Sequence, residues 1–168
     1  MIRSYKLLIT TIGFILVISF FGFIATASSQ EYTLKLRKLP NNEVVLNLLA
    51  NGGDQFYIDY IHSKDKTPVH DVFLISKEGK LVLLEEDYEW YGAGLAFHPE
   101  GIGQIIFEND RTRVVLNRKL DQFLIRVGRI CNHTLSFKSE SIPLLDIANG
   151  GDLIEFVVEI YKEGENYD

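Results

Sequence analysis

A single cysteine, Cys131, in 168 residues rules out an intramolecular disulfide, so the fold must hold by its core. One thiol also cannot build a thiolate zinc site, which takes several such ligands. No run of lysine or arginine occurs, and 17 basic against 23 acidic residues leave a net charge of −6. Phosphate backbones are held by clustered positive charge, so nucleic acid is disfavoured as a partner. Neither a nucleophile-elbow pattern nor a paired-histidine metalloprotease motif is present. Gly92-Ala93-Gly94 is too short for a dinucleotide fingerprint and reads as a tight bend where backbone approaches backbone. Linkers and low-complexity segments are absent, and no cofactor is indicated.

Long apolar runs are absent except for one. Leu7 to Ile24 is 18 positions without a charge, preceded by Arg3 and Lys6 and followed by Ala25-Thr26-Ala27-Ser28. The apolar region of a signal peptide is roughly 7 to 15 residues, and about 18 to 20 cross the hydrocarbon of a bilayer. Ala25-x-Ala27 offers a small-residue cleavage pattern, so a signal peptide cut after Ala27 and a retained anchor both stay open. In either case the positive N-terminus stays in the cytoplasm and the rest is carried across. Residues 1–27 are therefore expected to be a signal peptide or membrane anchor and 28–168 an extracytoplasmic domain, meeting the membrane only through 7–24 if uncleaved. Those 141 residues hold 15 basic and 23 acidic side chains, a net charge of −8.

From Tyr32 onward the hydrophobic pattern recurs every second residue in short segments punctuated by Gly, Asn, Asp and Pro, which is strand spacing. Strands are predicted near 32–38, 43–49, 55–62, 69–76, 80–90, 103–107, 112–118, 122–128, 134–138 and 153–161. This makes one all-β domain, an antiparallel β-sandwich or barrel-like fold of about ten strands after the hydrophobic segment. The stretch 39–50 is the ambiguous one, since Asn41-Asn42-Glu43 before Val-Val-Leu-Asn-Leu-Leu also suits a short helix. A small repeat, Ala50-Asn51-Gly52-Gly53-Asp54 and Ala148-Asn149-Gly150-Gly151-Asp152, reads as one structural turn used twice.

The candidate chemistry gathers on two hairpins. In the segment 56–63, Phe56, Ile58, Tyr60 and His62 share a face, and in the next strand Val69, Asp71, Phe73 and Ile75 do so. A return through Lys64 to Pro68 pairs Tyr60 with Asp71 and sets His62 diagonal to Asp71, with Cα atoms about 7 to 8 Å apart. The turn Ser76-Lys77-Glu78-Gly79-Lys80 has Gly where a three-residue loop needs a left-handed residue, which places Glu85 opposite Asp71; a two-residue loop would bring Glu86 there instead. Tyr60, His62, Asp71 and Glu85 then cluster on one face, and two facing carboxylates repel unless a proton, a cation or a donor sits between them. Three readings stay open: a buried network with Tyr60 and Thr67 completing the bonds, a pocket for a small polar or cationic solute, and a divalent-cation site. His133 joins only if its distant strand folds against this sheet. Ser63 follows His62 but points to the other face, so the two make no nucleophile and base pair. The acidic and aromatic run 85–91 reads as a solvated strand or a recognition edge.

His62-Ser63, Lys66-Thr67-Pro68-Val69, an acidic residue at Asp71, Phe73, a later Glu85 and Tyr91-Gly92-Ala93-Gly94-Leu95 together resemble the small exported bacterial proteins grouped as domain of unknown function eighteen-fifty. Three positions depart from that pattern: Asp71 stands for Glu, Lys64 for Val and Ala96 for Pro. The candidate ligand-binding residues are Tyr60, His62, Ser63, Thr67, Asp71 and Glu85, with Pro68, Phe73, Gly92 and Gly94 as motif positions that carry structure. Proteins of that family are often encoded beside tripartite ATP-independent periplasmic (TRAP) transporters whose solute receptors are called TAXI. The resemblance therefore implies a non-enzymatic accessory of that membrane transporter, in contact with a transporter component or a small polar solute. A structural interaction domain and a small hydrolase using two carboxylates are the alternatives.

Overall fold

In Pro68–Ile75 every second residue is buried, namely Val69, Asp71, Phe73 and Ile75, and the same period shapes most other segments into strands with one face on a core. The computed structural model describes residues 30–89, 102–108 and 110–163. In chain order the strands are β1 (Glu31–Leu39), β2 (Glu43–Asn51), β3 (Gln55–Ile61), β4 (Pro68–Ile75), β5 (Leu81–Tyr88), β6 (Ile102–Glu108), β7 (Arg111–Leu120), β8 (Phe123–Arg126), β9 (Thr134–Phe137), β10 (Glu140–Pro143) and β11 (Leu153–Ile160). A one-turn helix, α1 (Leu144–Ile147), precedes β11. The strands form two antiparallel sheets, ordered β2-β1-β11-β8 and β10-β9-β3-β4-β5-β7-β6. The all-β sandwich expected from the sequence is the fold found.

Four phenylalanines join the sheets. Phe56 and Phe73 of the larger sheet stack with ring centroids 4.8 Å apart; Phe156 of the smaller sheet lies 6.0 Å from Phe56, and Phe123 lies 4.4 Å from Phe73. Leu34, Leu36, Ile58, Ile75, Leu135 and Ile154 surround them and are fully buried. All ten expected strands have a counterpart. The ambiguous stretch is strand β2, paired with β1 from Glu31 opposite Asn51 to Lys38 opposite Glu43. The sequence reading did not foresee β10 and α1: Lys138, at φ 53°, turns β9 into a four-residue return, and α1 buries Leu144. Four residues hold too few repeats for a period to show.

The repeated pentapeptide folds the same way twice. Asn51 N–H donates to the Asp54 carboxylate (2.8 Å) and Asn149 N–H to that of Asp152 (2.9 Å), with Gly53 at φ 106° and Gly151 at φ 104°. Gly53 and Asp54 exchange backbone bonds with Ile75 just as Gly151 and Asp152 do with Val127. Each carboxylate also faces one lysine, Lys138 at 3.4 Å and Lys38 at 3.3 Å. Both aspartates are thus spent on closing turns, as the structural reading expected. The donation from Asn149 holds the Asp152 carboxyl below its ordinary value.

Candidate functional site

The β4–β5 turn is the three-residue loop expected: Ser76 N–H donates to Lys80 O (2.8 Å), Gly79 sits at φ 70°, and Ile75 pairs with Leu81. The register then changes. Phe73 faces Leu83 but Val72 faces Glu85, because Leu84 is an extra residue in a bulge. Beyond the bulge each side chain changes face, so Glu86, not Glu85, stands opposite Asp71 on the core side. Glu85 turns outward to Arg113, 3.7 Å away.

Between β3 and β4 the register differs from the expected one by two residues. Tyr60 pairs with Val69 and Ile58 with Asp71. An even slip keeps every face and moves every partner, so Asp71 stays inside with Tyr60 now its diagonal neighbour. His62 drops out of the sheet. Its N–H donates to Thr67 O (2.8 Å), its carbonyl accepts from Lys66 N–H (2.9 Å), and its Nδ1 lies 2.9 Å from the Asp65 carboxylate. That last contact outranks the 3.4 Å approach of Asp65 N–H to the same nitrogen, since one Nδ1 cannot both donate and accept. The loop 62–67, with Lys66 at φ 61°, has six residues, as the expected return does, but begins one residue earlier, which shifts the register by two. The expected cluster of His62 with Asp71 and Glu85 is therefore not assembled, and neither the His62–Asp71 network nor a metal site made of those three exists. Ser63 is exposed in the loop, Thr67 serves through its carbonyl, Pro68 opens β4 at the surface, and Phe73 is core. Gly92 and Gly94 lie outside the described residues, as does most of the run from Trp90 onward.

What does assemble is a row across the larger sheet: Leu135, Ile58, Asp71, Glu86, Val114 and Ile105 stand opposite one another in turn. Two acids thus sit in the middle of an apolar row. Asp71 is 8% exposed, and its Oδ1 is shielded from solvent with no hydrogen-bond partner. Burial, then the Glu86 carboxylate, then Asp59 from the opposite face push the Asp71 carboxyl well above its ordinary value, favouring the protonated form. Burial and the same two acids, Asp71 and Glu86, with a smaller effect of Cys131, also push the Tyr60 phenol up, so it remains a neutral donor. Tyr88, buried opposite Val69 and Thr112, completes the polar part of this face.

His133 does fold against the sheet. Thr134 pairs with Asp59, which brings the His133 ring 5.3 Å from that of Tyr60. Its Nδ1 accepts from Gly128 N–H (3.3 Å), leaving the proton on Nε2, and burial lowers its pKa, so the ring is neutral. The signal for Glu86 was present as the alternative loop register; nothing local signalled the bulge. His70, next to Asp71, faces outward, 2.7 Å from Asp59 and stacked on Tyr57 at 5.3 Å. Two clefts open elsewhere. One of about 160 Å³ lies among Asp87, Ile106, Glu108, Arg111 and Arg113, where Arg111 already binds Asp87 at 2.8 Å. Another of about 260 Å³ lies at the Gly79 end, floored by Leu81, Leu120 and Phe156. Neither is lined by Asp71.

A family model described as Domain of unknown function (DUF1850) matches residues 56–144. The chain belongs to this family. No curated protein and no solved structure matches it. The DUF1850 match runs from β3 to the first residue of α1, so Tyr60, Asp71, Glu86 and His133 all lie within it, while β1, β2 and β11 of the smaller sheet lie outside. Since His62 serves the 62–67 loop, His62→Ala is expected to cost at most about 1 kcal/mol, the size of a partly exposed pair. Urea denaturation of that variant checks this; a loss of several kcal/mol would show that His62 holds more than its loop.

Proposed function

We propose that this chain is a non-enzymatic, extracytoplasmic accessory of a TRAP-type solute transporter, and that Asp71, with Glu86 and Tyr60, engages a small polar group of a solute or of its partner. The observation that carries the site is the Asp71 carboxyl, buried with one oxygen unpartnered in an apolar row. A buried polar group left without a partner costs about 1 to 3 kcal/mol, and strain of that size persists where it serves a function. Membership of the DUF1850 family and the 18-residue uncharged segment support the placement outside the cytoplasm beside a transporter. The two carboxylates the hydrolase reading needs, Asp71 and Glu85, stand on opposite faces of the sheet, which weighs against it.

The test is thermal unfolding of the full chain in detergent against amines, amino acids, dicarboxylates, sugars and divalent metals, since any compound preferring the native state raises the midpoint. Solute uptake by cells with and without the chain completes it. A shift that Asp71→Ala abolishes, with uptake falling when the chain is removed, is the expected result. Unchanged uptake overturns the accessory role, and no shift from any compound overturns the small-ligand site.

A further inference from the structure

On one side β11 is only half covered, because its neighbours differ in length. It has eight residues, and β1 pairs with all of them, from Leu39 opposite Leu153 to Tyr32 opposite Ile160. β8 has four residues, and its pairing ends with Phe123 opposite Phe156. In an antiparallel ladder the N–H and C=O of one residue point to the same side and those of the next residue to the other. The odd residues of β11 face β1, a series that Tyr161 N–H continues by donating to Glu31 O (3.0 Å). The even ones face β8, in line with Asp152 O, which accepts from Val127 N–H (2.9 Å). Val158 and Ile160 therefore aim their N–H and C=O groups past the end of β8, where no backbone partner meets them among the described residues. Glu159, the one charge in this stretch, is turned to Lys35 and Arg37, so the edge itself carries no free charge to repel another strand.

The cleft of about 260 Å³ opens beside that edge, with Leu81, Leu120, Phe156 and Val158 in its walls. We propose that an extended segment of a partner polypeptide adds to β11 here, bonding to Val158 and Ile160 and setting every second side chain into the cleft. A peptide backbone offers donors and acceptors at the repeat these groups present, whereas a compact small molecule does not. The side chains that enter must be apolar to match the walls. Asp121 and Glu155 stand at the rim in no ion pair among the described residues, Glu155 accepting from the Gln122 amide (3.0 Å), and they outnumber the one amine of Lys80. The segment is therefore one of alternating apolar residues flanked by lysine or arginine. A second copy of this chain fits poorly, since residues 28–168 carry 15 basic and 23 acidic side chains and like-charged copies repel. Asp71 and the row around it line no part of this cleft, so the interaction stands apart from the binding position proposed above.

The experiment follows amide hydrogen exchange by NMR in the full chain in detergent, alone and with a blocked pentapeptide, lysine-valine-threonine-valine-lysine. In the free chain the Val157 and Glu159 amides, bonded to β1, are expected to exchange slowly and those of Val158 and Ile160 quickly. Saturating peptide should slow Val158 and Ile160 by on the order of tenfold or more and leave Val157 and Glu159 nearly unchanged. A copy of the peptide with every backbone nitrogen methylated, and one with glutamate in place of lysine, should each bind about tenfold more weakly. Ile160→Pro removes one edge N–H at an exposed strand end, where proline is tolerated, and should weaken binding read at Val158 by about fivefold while the chain stays folded. Slow exchange of Val158 and Ile160 in the free chain, as monomer or dimer, overturns the proposal, because the edge is then already covered. No slowing with the peptide, or equal binding of the methylated copy or by Ile160→Pro, overturns strand addition, and equal binding of the glutamate copy overturns the choice of a basic segment.

Discussion

Asp71→Asn raises the unfolding midpoint at pH 8 by about 3–8 °C and leaves it close to the parent at pH 4. Asp71 holds its proton more tightly in the folded chain than in the unfolded one, because burial and the facing Glu86 disfavour its charge. The stability this gives is fully present below the ordinary aspartate value of 3.8 and is lost as the pH rises through the raised folded value. Asparagine keeps the shape and a donor for Glu86 without a charge to desolvate, so the variant lacks that descending limb. Thermal unfolding of both proteins from pH 4 to 8 checks it; parallel curves would mean that Asp71 ionises without penalty. The same variant is expected to lose ligand response, so stability and binding move in opposite directions, the pattern of a residue retained for function at a cost in stability. Had Asp71 been a supporting member of a satisfied network, removing its charge would weaken the fold.

Phe56→Ala is expected to cost about 3–5 kcal/mol, a large share of the roughly 5–15 kcal/mol that holds a domain together. Phe56 is fully buried and touches the stack from both sides, with Phe73 at 4.8 Å within its own sheet and Phe156 at 6.0 Å across the core. With no disulfide to tie the sheets, the cavity left by its ring weakens their main shared contact. Urea denaturation with an unchanged slope measures the loss. A cost below about 1.5 kcal/mol, the usual size of a volume-conserving core swap, would show that Phe123 and Phe73 collapse into the space.

The two variants fall on neighbouring strands, Phe56 on β3 and Asp71 on β4, and divide their shared inner face by chemistry. Phe73 and Ile75 face the joined part of the sandwich, and Asp71, one step along, faces its polar end. Nothing in the alternation distinguishes these positions, since period two says only that all three point the same way. That Asp71 would be buried was legible from its place between Val69 and Phe73. What would stand opposite it was not.

Sequence alone determined that the chain would fold as an all-β domain, that β3 and β4 would carry Tyr60 and Asp71 inward, that Gly79 would turn β4 into β5, and that the two Asn-Gly-Gly-Asp segments would close identical turns. Those outcomes rest on local chemistry: side-chain alternation, the freedom of glycine at positive φ, and carboxylates that accept backbone N–H groups. Only the tertiary structure decided the partners. The loop at 62–67, displaced by one residue, slid β3 against β4 by two residues and retired His62, and the bulge at Leu84 exchanged Glu85 for Glu86. The pairing of β9 with β3 brought His133 to Tyr60 from more than seventy residues away. Register and bulges are settled by how whole strands pack their apolar faces against the opposing sheet, and that energy is distributed over the core rather than written at any one position.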